Sequence, residues 1–125
     1  MALMKCLLYH HGFSKNIHKG IDAIYRFPVA GINTYIIAES KGGTSKLSKG
    51  AKKGDQMYDK WINNSIETLT RGSGELEKRN LFQANNANIP MLAVVVKLNL
   101  GKTKPEIDFG IQFYRGITSW GTPFE

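Results

Sequence analysis

Alternating apolar and polar positions predict a β-hairpin in the first third of the chain. Residues 22–25 and 34–40 are strand-like, and the segment 27–33 between them contains a Pro and a Gly, which favour a turn. With the turn centred on Ala30 and Gly31, the two strands are expected to pair in antiparallel fashion.

The register of this hairpin brings three charged residues together. A turn at Ala30 and Gly31 places Asp22 opposite Glu39. Lys41 lies two residues beyond Glu39, and side chains alternate along a strand with a period of two. Glu39 and Lys41 are therefore expected on one face, with Asp22 beside them.

After the hairpin, apolar residues recur at the spacing of an amphipathic helix. Asp55 is predicted to cap a helix that runs to about Thr70, before Gly72. Its apolar stripe should cover the hairpin and consists of Tyr58, Trp61, Ile62, Ser65, Ile66 and Leu69. A second, shorter helix is predicted from Glu75 to about Ala84.

Two further strands are predicted near the carboxyl end. Residues 91–100 are apolar on both faces, which is typical of a central strand. In the last strand Ile107, Phe109, Ile111 and Phe113 alternate with polar or small residues, and Phe109 and Phe113 are expected in the core. The sequence thus predicts an α/β (α+β) domain with a mixed sheet of about four strands and flanking helices.

Length and composition narrow the class of protein. The 125 residues are expected to form a single domain, 1–125, whose first 19 residues are basic and contain no acid. The longest apolar run is too short for a membrane span, and Cys6 is the only cysteine, so no internal disulfide can form. A net charge of +7 suggests a polyanion such as nucleic acid, or an acidic protein, as partner.

The predicted hairpin could hold a hard divalent cation. Asp22 and Glu39 would supply carboxylate oxygens, and the backbone carbonyl of Ser40 a third ligand. Such an ion activates water and stabilises charge on a phosphoryl oxygen, while Lys41 could hold the attacking water or neutralise the transition state. Phosphodiester hydrolysis needs such a metal ion, an activated water molecule and a nearby positive charge.

A basic loop follows the second strand directly. Beyond Lys41 it carries four lysines and no acid up to Gly54: Lys46, Lys49, Lys52 and Lys53. Lysines of this kind give affinity for a phosphate backbone without sequence readout, although a solvated loop is the simpler interpretation.

The order of motifs resembles a known nuclease superfamily. Gly20–Asp22 followed by Glu39-Ser40-Lys41 resembles the PD-(D/E)xK, or restriction-endonuclease-like, arrangement. The run Tyr35–Leu47, with Gln56–Met57 and Trp61–Ile62, is similar to the C-terminal toxin domains of contact-dependent growth inhibition proteins and related polymorphic toxins. The resemblance covers about residues 20–62.

This resemblance implies specific roles and partners. Asp22 and Glu39 would bind the metal, most simply Mg²⁺, with Mn²⁺ or Zn²⁺ as alternatives; Lys41 would assist catalysis, and Gln56 would lie near the site. The chain would be secreted or delivered from the cell surface as part of a larger toxin, and it would act as an endonuclease in the cytoplasm of the target bacterium. An acidic cognate immunity protein would neutralise it.

The resemblance leaves alternatives open. Many members of the superfamily carry a further Glu on a helix before the Asp, whereas residues 1–21 contain no acid. The chain would then be truncated, work without that ligand, or be a degenerate relative. DNA and tRNA are both candidate substrates, and the rival function is a non-catalytic basic domain that binds nucleic acid or an acidic protein.

Overall fold

The computed structural model contains one mixed sheet with two helices on one of its faces. It describes the backbone of residues 6–10 and, with their side chains, residues 20–50, 52–99, 103–121 and 124. The elements are β1 (Cys6–His10), β2 (Ala23–Val29), β3 (Ile32–Gly42), α1 (Asp59–Thr70), α2 (Leu76–Asn86), β4 (Met91–Asn99) and β5 (Glu106–Phe113). The predicted α+β class is confirmed, and β1 adds a fifth strand at one edge.

The strands follow one another across the sheet in chain order, β1-β2-β3-β4-β5. Every neighbouring pair is antiparallel except β3 and β4, which are parallel and are joined through α1 and α2. A parallel pair needs a long crossover, and the two helices provide it. The carboxyl ends of β3 and β4 therefore lie side by side.

The predicted hairpin forms with the predicted register. Ala30 and Gly31 have φ of 52° and 80°, which is the left-handed pair that a two-residue type I′ turn requires. Ala23 pairs with Ala38, so Asp22 is level with Glu39. Both strands are longer than predicted because the turn needs only two residues.

The first helix begins later than predicted. Asp55 does not cap it: its Oδ1 accepts the backbone N–H of Gly50 at 2.9 Å. Met57 has φ of 67°, a conformation that a helix excludes, so α1 starts only at Asp59. Gln56, which would directly follow the predicted cap Asp55, therefore lies in the turn before the helix and not in the helix itself.

The core lies between one sheet face and the helices. The predicted stripe of α1 is confirmed, since Trp61, Ile62, Ser65 and Ile66 are buried and Tyr58 and Leu69 pack against them. The sheet contributes alternate residues of its central strands to the same cluster: Ile24, Tyr35, Ile37, Met91, Ala93 and Val95. Burial of this continuous apolar surface is the main source of stability.

The opposite sheet face is apolar and open. Phe109 and Phe113 are 63% and 65% exposed, so their predicted place in the core is wrong. The register explains this: Gly110 pairs with Val95 and faces the helix side, which turns the aromatic residues of β5 to the other face. A Cβ on Gly110 would lie 2.6 Å from Cε3 of Trp120, so the Trp120 ring occupies the space above it.

Among the described residues, no helix is long and apolar enough to cross a membrane.

Replacing Ala30 with Asn should stabilise the hairpin. Left-handed backbone costs an ordinary L-residue roughly 1 kcal/mol, and Asn tolerates it much better. We expect the free energy of unfolding, measured by urea titration, to rise by about 0.5–1 kcal/mol. Ala87→Asn is the control, because Ala87 is exposed with φ of −85°; an equal gain in both variants would contradict the explanation.

Candidate active site

The candidate site lies where parallel β3 and β4 end. Glu39 and Lys41 both lie on the face of β3 that carries the core residue Ile37. Asp22 directly precedes β2 and is level with Glu39. The hairpin thus brings together the three charged residues that the sequence grouped.

Glu39 is the centre of the contacts. It is only 4% exposed. Its Oε2 accepts a hydrogen bond from Nε2 of Gln56 at 2.8 Å and lies 3.4 Å from Nζ of Lys41. Its Oε1 is enclosed and has no hydrogen-bond partner among the described residues. One oxygen of this carboxylate is therefore satisfied, and the other still needs a partner.

The environment makes ionisation of Glu39 costly. Burial raises the pKa of this carboxyl group from 4.5 to about 7, and the nearby Asp22 carboxylate adds to the rise, whereas Lys41 opposes it. The two carboxylates repel each other, and a proton or a nearby cation such as Lys41 relieves that repulsion. This shift is typical of functional sites.

Asp22 is held in place by the next strand. Its Oδ2 accepts the backbone N–H of Ser40 at 3.0 Å. This bond joins two of the predicted metal ligands and keeps the Asp22 carboxylate at the end of the hairpin. Ser40 itself is exposed, on the open side of the site.

Gln56 connects the basic loop to Glu39. While its Nε2 donates to Glu39, its Oε1 accepts the backbone N–H of Ser48 at 2.9 Å, and its own backbone N–H donates to the Ser48 carbonyl at 2.8 Å. The nitrogen and the oxygen of the Gln56 side-chain amide are thus both used, which fixes its orientation. Leu47, 5% exposed, buries the adjoining part of the loop.

The four predicted phosphate-binding lysines all belong to this loop. Lys46, Lys49 and Lys52 are exposed, as a nucleic-acid contact requires. Lys53 is partly buried, with its Nζ 6.0 Å from the ring centroid of Trp61. Lys53 therefore contributes to packing on α1 and is less available than the other three.

The structure adds a residue that the sequence analysis missed. Lys97 pairs in register with Lys41 and is 4% exposed. The sequence signal for Lys97 is its place in β4. Lys97 follows Val95 by two residues, so it continues the buried face of an otherwise apolar strand. The prediction that residues 91–100 are apolar on both faces is therefore wrong at Lys97, where the covered face carries a charge.

The donor set fits a divalent cation in part. The described residues contain no group of three His, Cys, Asp or Glu side chains that could hold a metal ion. Two carboxylates are nevertheless adjacent, one of their oxygens is buried without a partner, and oxygen ligands suit Mg²⁺, which often takes only one or two carboxylates and keeps its waters. Asp22 and Glu39 would be the residues that hold it.

Comparison with known proteins found no matching family model, no matching curated protein and no matching solved structure.

Glu39→Gln should change how stability depends on pH. Because the pKa is higher in the folded than in the unfolded protein, wild type loses stability as pH rises from 4.5 to about 7, whereas neutral Gln does not. We expect the free energy of unfolding of Glu39→Gln, relative to that of wild type, to increase by up to about 3 kcal/mol across that rise in pH. Urea titrations in EDTA across this range measure the difference.

The matched control for that experiment is Glu77→Gln. Glu77 is exposed on α2, away from the site. Its substitution should leave the pH profile of the free energy of unfolding parallel to that of wild type. A pH-independent difference between wild type and Glu39→Gln would show that the Glu39 carboxyl group titrates normally.

Proposed function

We propose that this protein is a divalent-metal-dependent endonuclease toxin that hydrolyses phosphodiester bonds of DNA or tRNA in a target bacterium. The observation that carries the proposal is the convergence of side chains on one carboxylate. Gln56 and Lys41 both contact Glu39, and Asp22 lies beside it. These residues come from three segments, namely the residue before β2, strand β3 and the turn before α1, as residues of a catalytic centre commonly do.

The order of elements supports the same proposal. A hairpin carries the acidic residues and the lysine, helices follow, and a strand parallel to the second hairpin strand completes the sheet centre. This order is compatible with the restriction-endonuclease-like core that the motifs resemble. Ligands commonly bind at the carboxyl ends of parallel strands, and Glu39 and Lys41 lie at that end of β3.

Each residue has a chemical role in the proposal. Asp22 and Glu39 hold a divalent cation, with the carbonyl of Ser40 as a further ligand. Such an ion, when bound, lowers the pKa of a water molecule and stabilises charge on the phosphoryl oxygens. Lys41 orients the attacking water or neutralises the developing negative charge, and Gln56 fixes the orientation of the Glu39 carboxylate.

The basic loop supplies the affinity for nucleic acid. Its exposed lysines sit on the segment that Gln56 ties to Glu39, so phosphate contacts and the cleaved bond are held in one unit. The net charge of +7 favours any polyanion and also suits an acidic immunity protein. Delivery would be as part of a larger secreted or cell-surface toxin that acts in the target cytoplasm.

A cleavage assay tests the activity. Purified protein is incubated with plasmid DNA or total tRNA in Mg²⁺, Mn²⁺ or Zn²⁺, with EDTA as the metal-free control. We expect metal-dependent cleavage of one substrate and a loss of roughly 100-fold or more in rate in Glu39→Gln, because a metal ligand and its charge are removed. Asp22→Asn should have a comparable effect.

The control for cleavage is again Glu77→Gln, which should cut at the wild-type rate. Cleavage that persists in both Glu39→Gln and Asp22→Asn would rule out the proposed site. Salt-sensitive binding of nucleic acid with no cleavage in any metal would instead favour the rival function, a basic binding domain.

The basic loop is tested separately by the salt dependence of binding. Lys46→Ala with Lys49→Ala should weaken binding to DNA and RNA of any sequence and lower the slope of log K against log salt by about 2, because two phosphates are no longer neutralised. Fluorescence anisotropy in EDTA measures this. The control pair, Lys78→Ala with Arg79→Ala on α2, should leave the slope unchanged; an equal fall in both pairs would mean that only net charge matters.

A further inference from the structure

Lys97 occupies an unusual place for a charged side chain. It is on the helix-facing side of β4, in the alternating series Met91, Ala93, Val95 and Lys97, every member of which is buried. It is level with Lys41 on the parallel neighbour β3. Adjacent strands are about 4.8 Å apart, so the two lysines leave the sheet side by side.

Lys97 has no hydrogen bond and no ion pair within the part of the chain that the structure describes. The ion pair of Lys41 goes to Glu39 instead. On the other side, Asp108 is opposite Lys97 in register, but its Oδ2 accepts a hydrogen bond from Nδ2 of Asn99 at 2.9 Å. Lys41 is thus paired with Glu39, and Asp108 uses one of its two carboxylate oxygens for Asn99.

Two like charges side by side are unfavourable. The side chain of Lys97 is buried against the sheet, and its neighbour across the parallel pair is a second lysine, whose positive charge repels it. An anion that enters between the two lysines would offset that repulsion. The same position is next to Glu39 and Asp22, where the proposed reaction takes place.

We propose that Lys97 binds the phosphate group that is cleaved, with Lys41 as the second cationic contact. This inference rests on the proposed nuclease function and names a further substrate-binding residue for it. Two ammonium groups on neighbouring strands can each donate to a different non-bridging oxygen of one phosphate. Lys97 thereby differs in role from the loop lysines, which contact phosphates away from the cleaved bond.

Inorganic phosphate is the probe for this site. The melting temperature is measured in EDTA, in sodium phosphate and in sodium chloride of equal ionic strength. Wild type should melt several degrees higher in phosphate, since a ligand that binds only the folded state stabilises it. Lys97→Met should lose that rise and should be at least as stable as wild type in chloride, because the repulsion between two neighbouring lysines has been removed.

Two variants serve as controls. Lys78→Met on α2 should keep the full rise, since its Nζ pairs with Glu75 at 3.5 Å, outside the site. Lys97→Arg should keep part of the rise, because it retains the charge. A Lys97→Met protein that keeps the wild-type rise, or that melts lower than wild type in chloride, would overturn the proposal; the second result would mean that Lys97 serves the fold.

The phosphate experiment on Lys97 can be distinguished in its result from the cleavage assay that tests the nuclease proposal. Glu39→Gln removes a negative charge, so it should abolish cleavage while keeping the rise in phosphate. If wild type cleaves neither DNA nor tRNA, the phosphate experiment still decides whether Lys97 binds an anion. If wild type does cleave, Lys97→Met should lower kcat/KM roughly tenfold or more, and an unchanged kcat/KM would overturn the role of Lys97 alone.

Discussion

The pairing of β2 with β3 determines where every charged group of the hairpin lies. Its register puts Asp22 level with Glu39 and sends Glu39 and Lys41 to the helix-covered face. A slip by one residue would turn Glu39 to the open face and bring Ser40 to the covered one, since side chains alternate. The two-residue turn at Ala30 and Gly31 is therefore a constraint on the site as well as on the fold.

Burial gives the site its chemical character. A carboxylate that is 4% exposed, and lies near another carboxylate, is ionised only at a cost, which a nearby lysine lowers in part. One strand away, Lys97 is a second buried charged residue, of opposite sign, beside Lys41. Charged groups of both signs thus lie together at the ends of β3 and β4. In the proposed function, a metal ion would bind the carboxylates and a phosphate group would bind the lysines.

The two faces of the sheet differ in how far they are covered. One face is filled by α1 and by Trp120 and Phe124, whereas the other exposes four large apolar side chains of β5: Ile107, Phe109, Ile111 and Phe113. Large open apolar patches of this kind are uncommon on monomeric proteins. The patch results from the register of β5, in which Gly110, and not an aromatic residue, meets the Trp120 ring.

The amino-acid sequence by itself determined the hairpin, its register, the grouping of Asp22, Glu39 and Lys41, and the stripe of α1, because these follow from local turn chemistry and short-range periodicity. Only the tertiary structure decided which face of β5 is covered, since alternation does not say where the helices pack. It also decided that Gln56 bonds Glu39 from a turn and that Lys97 joins the site. Both depend on contacts between segments that lie far apart in the chain, which no local pattern encodes.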